Sequence, residues 1–240
     1  MVKNFEFLRK FFESCGVREV DKHDQIKNLL DTCFQKKRYH DNGETKKADN
    51  NYSKYLNILN NTATHGGGFH TDGNATPTLQ HILISGNTAT VGGGGLITSC
   101  TIQCVQLYNN ITVVNNSAGL YGDDIYTGMI NPHTYIFNSI IEGNVYNNAN
   151  FYLYNTYFSG GLHAYSASIF QQFNSITGDI LLNEDYTLQE GSVAIDAGIT
   201  SFGQDGNLLL NISPDDYYGP APDLGAFESV FGACSDPAAV

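Results

Sequence analysis

The sequence predicts an all-β solenoid, a parallel β-helix, with a short α-helical segment at its N-terminus. Three observations predict it: an internal repeat with copies beginning at Ile58, Ile84, Val113 and Ile141, a composition beyond Tyr55 that disfavours helix, and a charge distribution that sets the segment before Tyr55 apart. Evenly recurring units of this size mark solenoids, whose units bury their apolar side only by stacking on one another.

The repeat unit is aliphatic-x-x-Asn. It pairs Ile58 with Asn61, Ile84 with Asn87, Val113 with Asn116 and Ile141 with Asn144, and the copies follow one another at nearly equal intervals. The first two copies continue as NTAT, one further residue and a glycine run; the third reads NSAGLYGDD, and the fourth loses the glycines. Segments such as TPTLQHILISGN and LYNNITVVNN place β-branched residues, Gly, Asn and Pro where a helix needs helix formers, so the units read as strands. Every coil of such a solenoid turns at the same place. Asn tolerates left-handed backbone at a corner and stacks its amide on the copy in the next coil. Asn61, Asn87, Asn116 and Asn144 are therefore expected to form one ladder, and Ile58, Ile84, Val113 and Ile141 one inward stack. The glycines let the backbone turn and approach the neighbouring coil closely.

The domain order follows. In residues 1–54, Phe5, Leu8 and Phe12, then Ile26, Leu29, Leu30 and Phe34, recur at helical spacing, and a polar linker, KKRYHDNGETKKADNNYS, completes the segment. Residues 55–185 are the coils, continuing through FYLYNTYF. Residues 186–230 alternate short apolar pieces with Gly, Pro and Asp, as expected of a cap that hides the open edge of the last coil. Residues 231–240 are a tail.

Charge separates the two parts. All 12 Lys and Arg residues lie between Lys3 and Lys54, where 9 acidic residues leave a net +3; residues 55–240 carry 15 acidic side chains and no basic one, a net −15. A body without cations cannot neutralise phosphates, which excludes counterion-release binding to nucleic acid and docking on anionic lipid. It leaves open the capture of divalent cations. No stretch supplies the roughly 20 apolar residues of a membrane-spanning helix, and the N-terminus, with charges inside its apolar run, does not read as a signal peptide. Of the five cysteines, Cys100 and Cys104 are placed either to bridge or to pack as a buried pair, and the buried pair is the expectation.

Two motifs carry a family resemblance. The repeat with its glycine run resembles that of the polymorphic outer-membrane proteins, Phe-x-x-Asn followed by Gly-Gly-Ala-aliphatic. The stretch GSVAIDAG…DDYYGPAPDLGAFE resembles the end of right-handed parallel β-helix proteins of the bacterial choice-of-anchor type, with Val193 in place of a proline and the arginine before the last motif missing. The resemblance covers residues 55–229. It implies a right-handed coil, an extracellular or cell-surface location, and an adhesive or binding role with glycans or surface proteins as partners. GACSDPAAV resembles the start of another short secreted repeat, so the chain is expected to be a piece of a longer protein.

Right-handed β-helices also carry polysaccharide lyases and glycosidases. A pectate-lyase-like mechanism takes a proton with a basic side chain, which residues 55–240 lack, and the aspartate, His and Arg-x-Lys set of polygalacturonase-like enzymes is represented only by Asp123 and Asp124 in YGDDIY. Adjacent residues on a strand point to opposite faces, which does not suit an acid–base pair. Asp123, Asp124, Asp205, Asn207 and Asp216 offer oxygen ligands that calcium would accept, although turn aspartates are the plainer reading. His65, His70, His81, His133 and His163 show no zinc-site spacing. The sequence thus reads as a non-enzymatic adhesin-like or carbohydrate-contacting scaffold without a cofactor. The alternatives are a polysaccharide-active enzyme or an inactive stalk segment. Tyr152, Tyr154 and Tyr157 are the candidate contact aromatics.

Overall fold

The repeat of three apolar-and-turn segments per unit becomes three stacks of parallel strands. The computed structural model describes residues 52–72, 75–100, 104–128, 132–165 and 168–231. The chain divides into two units, Met1–Lys47 and Ala48–Val240, and the described residues all belong to the second. The expected N-terminal helices lie outside them.

The first face is built from Tyr52–Leu59, Thr78–Ser85, Cys104–Val114, Pro132–Phe137, Asn150–Tyr154 and Ile169–Phe173, extended past a bend by Ile140–Ile141 and Tyr157–Phe158. The second face holds Thr62–His65, Thr88–Gly92 and Ser117–Ala118. The third holds Phe69–Thr71, Leu96–Thr98, Ile125–Thr127, Val145–Asn147 and Leu162–Ala164. All pairings within these faces are parallel, the arrangement of a parallel β-solenoid.

Register puts like residues over like. Ile58 pairs with Ile84, Ile84 with Val113, Val113 with Ile141 and Ile141 with Phe158, which is the expected inward stack carried one coil further. On the third face, Phe69, Leu96, Ile125, Val145 and Leu162 form the facing column. Their inner members share one core with Ile82, Ile111, Ile136, Phe151 and Leu153, almost all fully buried. Each such side chain contributes roughly 1.5–3 kcal/mol by leaving water.

The asparagine ladder forms, with two corrections. The Asn61 side-chain and backbone N–H groups donate to Asn87 Oδ1 at 3.0 and 2.9 Å, and those of Asn87 donate to Asn116 Oδ1, both at 2.9 Å. The left-handed backbone, however, belongs one residue earlier, to Asn60, Gly86 and Asn115 with φ of 56°, 67° and 56°; the ladder residues themselves point inward. The fourth rung is not Asn144. Asp124 takes its place, accepting from Asn116 Nδ2 at 2.8 Å and from Asn116 N at 3.3 Å, while Asn144 is exposed. The reason is a change of cross-section. After Ile141 the chain turns through Glu142, Gly143 and Asn144 straight into Val145–Asn147, with no second-face strand, so the next coil shortens to 17 residues.

A second corner column was not expected. His81, Asn110, Asn138, Asn155 and Asn174 occupy successive copies of one bend in the first face, each left-handed with φ between 45° and 52°. The C-terminal segment docks along it. Asn110 Nδ2 donates to the Asp223 carbonyl at 2.7 Å, Asn155 Nδ2 to Ala197 at 3.1 Å, and the Asn138 amide pairs both ways with Ile199 at 2.8 Å. The antiparallel hairpin Ser201–Gln204 and Asn207–Asn211 covers Tyr135, Phe137 and Tyr154, with Phe202 centred 4.3 Å from the Tyr154 ring. Leu188, Ala194 and Leu224 cover Val114 and Ile140. The segment thus lies along the flank of the coils. The final edge strands keep Leu162, Ile169 and Phe173 exposed.

Glycine is required where coils touch backbone to backbone. A methyl at Gly94 would overlap the carbonyl oxygens of Asp123 and Ser117, neither of which can turn away without breaking the stack. Gly94→Ala is expected to lower unfolding free energy by about 1–3 kcal/mol in urea titration, whereas Gly206→Ala, in open space at a hairpin turn with φ 80°, costs only its backbone strain of about 1 kcal/mol.

Candidate binding face

Alternation along the third-face strands decides what faces outward. In Ile125–Thr127 and Val145–Asn147 the first and last side chains are buried and the middle one is partly exposed, and register aligns these middle residues, Tyr126 and Tyr146, with His70, the buried Ile97 and His163 in one column. Tyr121, held at the corner by the bridge between its backbone and Gly92, leans onto this column. Its ring centre lies 5.9 Å from that of Tyr126 and 4.8 Å from that of Tyr146. Tyr126 and Tyr146 meet edge to face at 5.7 Å, Tyr146 and His163 stack at 4.7 Å, and Tyr165 tilts against Tyr146 at 6.2 Å.

The result is a continuous aromatic stripe. Tyr121 is 39% and Tyr165 57% exposed, and Tyr126 and Tyr146 are half-buried by their neighbours. Partial desolvation pushes the Tyr146 phenol above its ordinary pKa, with Tyr165, Tyr121 and Tyr126 adding to the effect. The phenol therefore stays neutral and presents a hydroxyl donor and acceptor on an apolar platform. Beside it, Asn144 Nδ2 donates to Asp123 Oδ2 at 2.7 Å, and Asp123 Oδ1 accepts from Ala118 N at 3.0 Å. Such a surface suits a ligand that offers both C–H faces and hydroxyl groups, or a protein partner that buries tyrosines.

The residues singled out from the sequence fall elsewhere. Tyr152 and Tyr154 stack on Tyr135, at 4.9 and 6.5 Å, beneath the C-terminal hairpin, and Tyr157 packs against the second docked core. Asp123 and Asp124 point apart, as adjacent residues should: Asp123 sits at the outer corner and Asp124 is fully buried. Asp205 and Asn207 flank the hairpin turn, with Asp205 facing Tyr135, and Asp216 ends the 3-10 turn Pro214–Asp216. Among the described residues, no three His, Cys, Asp or Glu side chains are grouped to hold a metal ion, and no helix is long and apolar enough to cross a membrane. Cys100 and Cys104, expected as a packed pair, are joined in a disulfide and are also buried. Comparison with known protein families, curated proteins and solved structures found no match.

The stripe was legible only through the third-face register. FHT, LIT, IYT, VYN and LHA are one motif of large apolar, outward residue and small or polar residue, but the intervals between copies vary too much for the aliphatic-x-x-Asn alignment to expose it.

Asp124 is structural, and its chemistry is testable. Burial raises its carboxyl from 3.8 to about 6, against the opposing hydrogen bonds from Asn116 and Gly143. The folded protein therefore keeps a proton that the unfolded chain releases, so this contribution is full below pH 4 and is lost as pH rises through about 6. Asp124→Asn is expected to flatten the decline of unfolding free energy between pH 4 and 6, by up to about 3 kcal/mol. Urea titrations at both pH values check this.

Proposed function

We propose that the chain is a non-enzymatic, secreted or surface-displayed module of the right-handed parallel β-helix type, whose Tyr121–Tyr126–Tyr146–His163–Tyr165 stripe contacts uncharged glycans. The observation that carries this reading is the stripe itself: five aromatic side chains, contributed by coils of different length, meet on one face that no other described segment covers. A folded protein gains nothing for its core from rings that pack only on each other at the surface, and exposed contiguous aromatics mark binding sites. The ionised carboxylates of a body that carries 15 acidic and no basic residues repel anionic polysaccharides, so the ligand class is neutral. The resemblance of SVAIDAG and PDLGAFES to surface-displayed β-helices supports the location, as does the Cys100–Cys104 bond, since disulfides persist in oxidising compartments. The absence of Lys and Arg beyond Lys54 supports the non-enzymatic reading.

A glycan array probed with the full chain tests it. Neutral glycans are expected to be retained, and Tyr146→Ala and Tyr165→Ala to weaken the best of them roughly tenfold each while leaving the circular dichroism spectrum unchanged. Retention unaffected by both substitutions, or release of reducing sugar from a bound polysaccharide, would overturn the reading.

A further inference from the structure

The docked C-terminal segment is held by two interlocked loops, 192–198 and 222–229, and acidic groups meet where they cross. Asp223, 1% exposed, accepts the Asp196 N–H at 2.8 Å on Oδ1 and the Ser229 N–H at 2.6 Å on Oδ2. Its own N–H donates to both Glu228 carboxylate oxygens, at 3.1 and 3.3 Å. The loops also pair directly, Leu224 N to the Ala194 carbonyl at 2.9 Å and Gly198 N to that of Pro222 at 2.8 Å. They attach to the coils through the Asp223 carbonyl on Asn110, Gly225 N on the Asn138 carbonyl, and Ala226 N on Thr112 Oγ1. Asp223 is therefore a single knot tying loop to loop and both to the solenoid.

Among the described residues the knot has no counter-charge. The carboxylates that meet there are those of Asp196, Asp223 and Glu228; the coil presents Asn110, Thr112 and Asn138, and Tyr218 contributes a backbone N–H. No Lys or Arg occurs beyond Lys54. One Asp196 oxygen, Oδ1, is buried without a hydrogen-bond partner and has left-handed backbone beneath it.

We propose that these loops form an acid-closed clasp: repulsion of the Asp223 and Glu228 carboxylates, crowded against each other and against Asp196 where the loops cross, releases the C-terminal segment from the flank at high pH, and low pH keeps it docked. Opening uncovers the Tyr135, Phe137 and Tyr154 column of the first face, a second aromatic surface that the closed form hides. Burial, then the neighbouring Asp223 and Asp196, raises the Glu228 carboxyl from 4.5 to about 8, and burial raises Asp223 as well. Because the folded values lie above the unfolded ones, the closed form binds more protons. Its advantage is full below about pH 4 and drains away as pH rises to about 8. This device is independent of the glycan stripe, which lies on another face.

Amide hydrogen exchange on the full chain, expressed as protection relative to intrinsic rates at each pH, tests it. From pH 5 to 8.5, protection of residues 194–199 and 222–229 is expected to fall at least tenfold while that of 82–84 and 111–114 holds. Glu228→Gln, which keeps an acceptor for the Asp223 N–H without the charge, should remove most of that fall. Should this variant not fold, Asp196→Asn, which removes one like charge, should reduce it. Protection that is flat with pH in the parent chain, a fall shared equally by the coils, or a fall unchanged in the variants would overturn the clasp.

Discussion

The solenoid depends on a row of buried amides that hand hydrogen bonds from coil to coil. Asn87 shows how complete the arrangement is. Its Oδ1 takes both N–H groups of Asn61, its Nδ2 reaches Asn116 Oδ1 and the Ile58 and Ser85 carbonyls, and its backbone N–H finds Asn116. The row has a polarity, because each amide accepts from the coil before and donates to the coil after, and so it must end on a group that only accepts. Asp124, once ionised, is that group. Its second oxygen takes Gly143 N–H at 2.7 Å, the first amide of the shortened coil, so one carboxylate joins two different cross-sections. The full desolvation penalty of an unpaired amide, about 1–3 kcal/mol, acts against any slip in register along the row.

Lack of cations shapes everything outside that row. Carboxylates that fold inward here have only N–H donors to satisfy them, and Asp124 and Asp223 each collect theirs from backbone as well as side chain. The hydrogen bonds lower the cost of burial without cancelling it, which is why both remain above the ordinary aspartate range. A basic side chain at either place would have left a permanently ionised pair. Its absence leaves groups whose charge follows the medium.

The inward stack and the first three rungs were legible because the coils that carry them share one length class and one corner sequence. The fourth rung was not. The motif at Ile141–Asn144 is intact as text, but the coil beyond it lacks a second face, and Asn144 turns outward to Asp123. The second corner column did leave a signal: FNS at 137–139, YNT at 154–156 and FNS at 173–175 repeat aromatic, Asn and hydroxyl residue. There Asn138 and Asn155 are left-handed, and the Ser139 and Thr156 hydroxyls donate back to the carbonyls of Phe137 and Tyr154. These copies follow one another more closely than Asn61, Asn87 and Asn116 do, outside the period set by the longer coils. Where the C-terminal segment would lie was not legible, because nothing local to Asn110, Thr112 or Asn138 says that a segment more than 60 residues away will bond to them.

The two aromatic columns show why residue type alone did not locate the surface. Tyr135, Tyr152 and Tyr154 on the first face and Tyr126 and Tyr146 on the third are the same residue in the same outward strand position. The first column borders the asparagine corner, whose amides reach out to the Ala197, Ile199 and Asp223 carbonyls and bring the hairpin with them. The third face is bordered in its first coils by a glycine bend whose N–H groups bond to the next coil, Gly67 to Gly93 and Gly94 to Gly122, and beside Tyr146 by Gly143 and Asn144, which bond back to Asp124 and Asp123. Groups already satisfied within the solenoid give a docking segment little to hold, and among the described residues none docks over the tyrosines on that side.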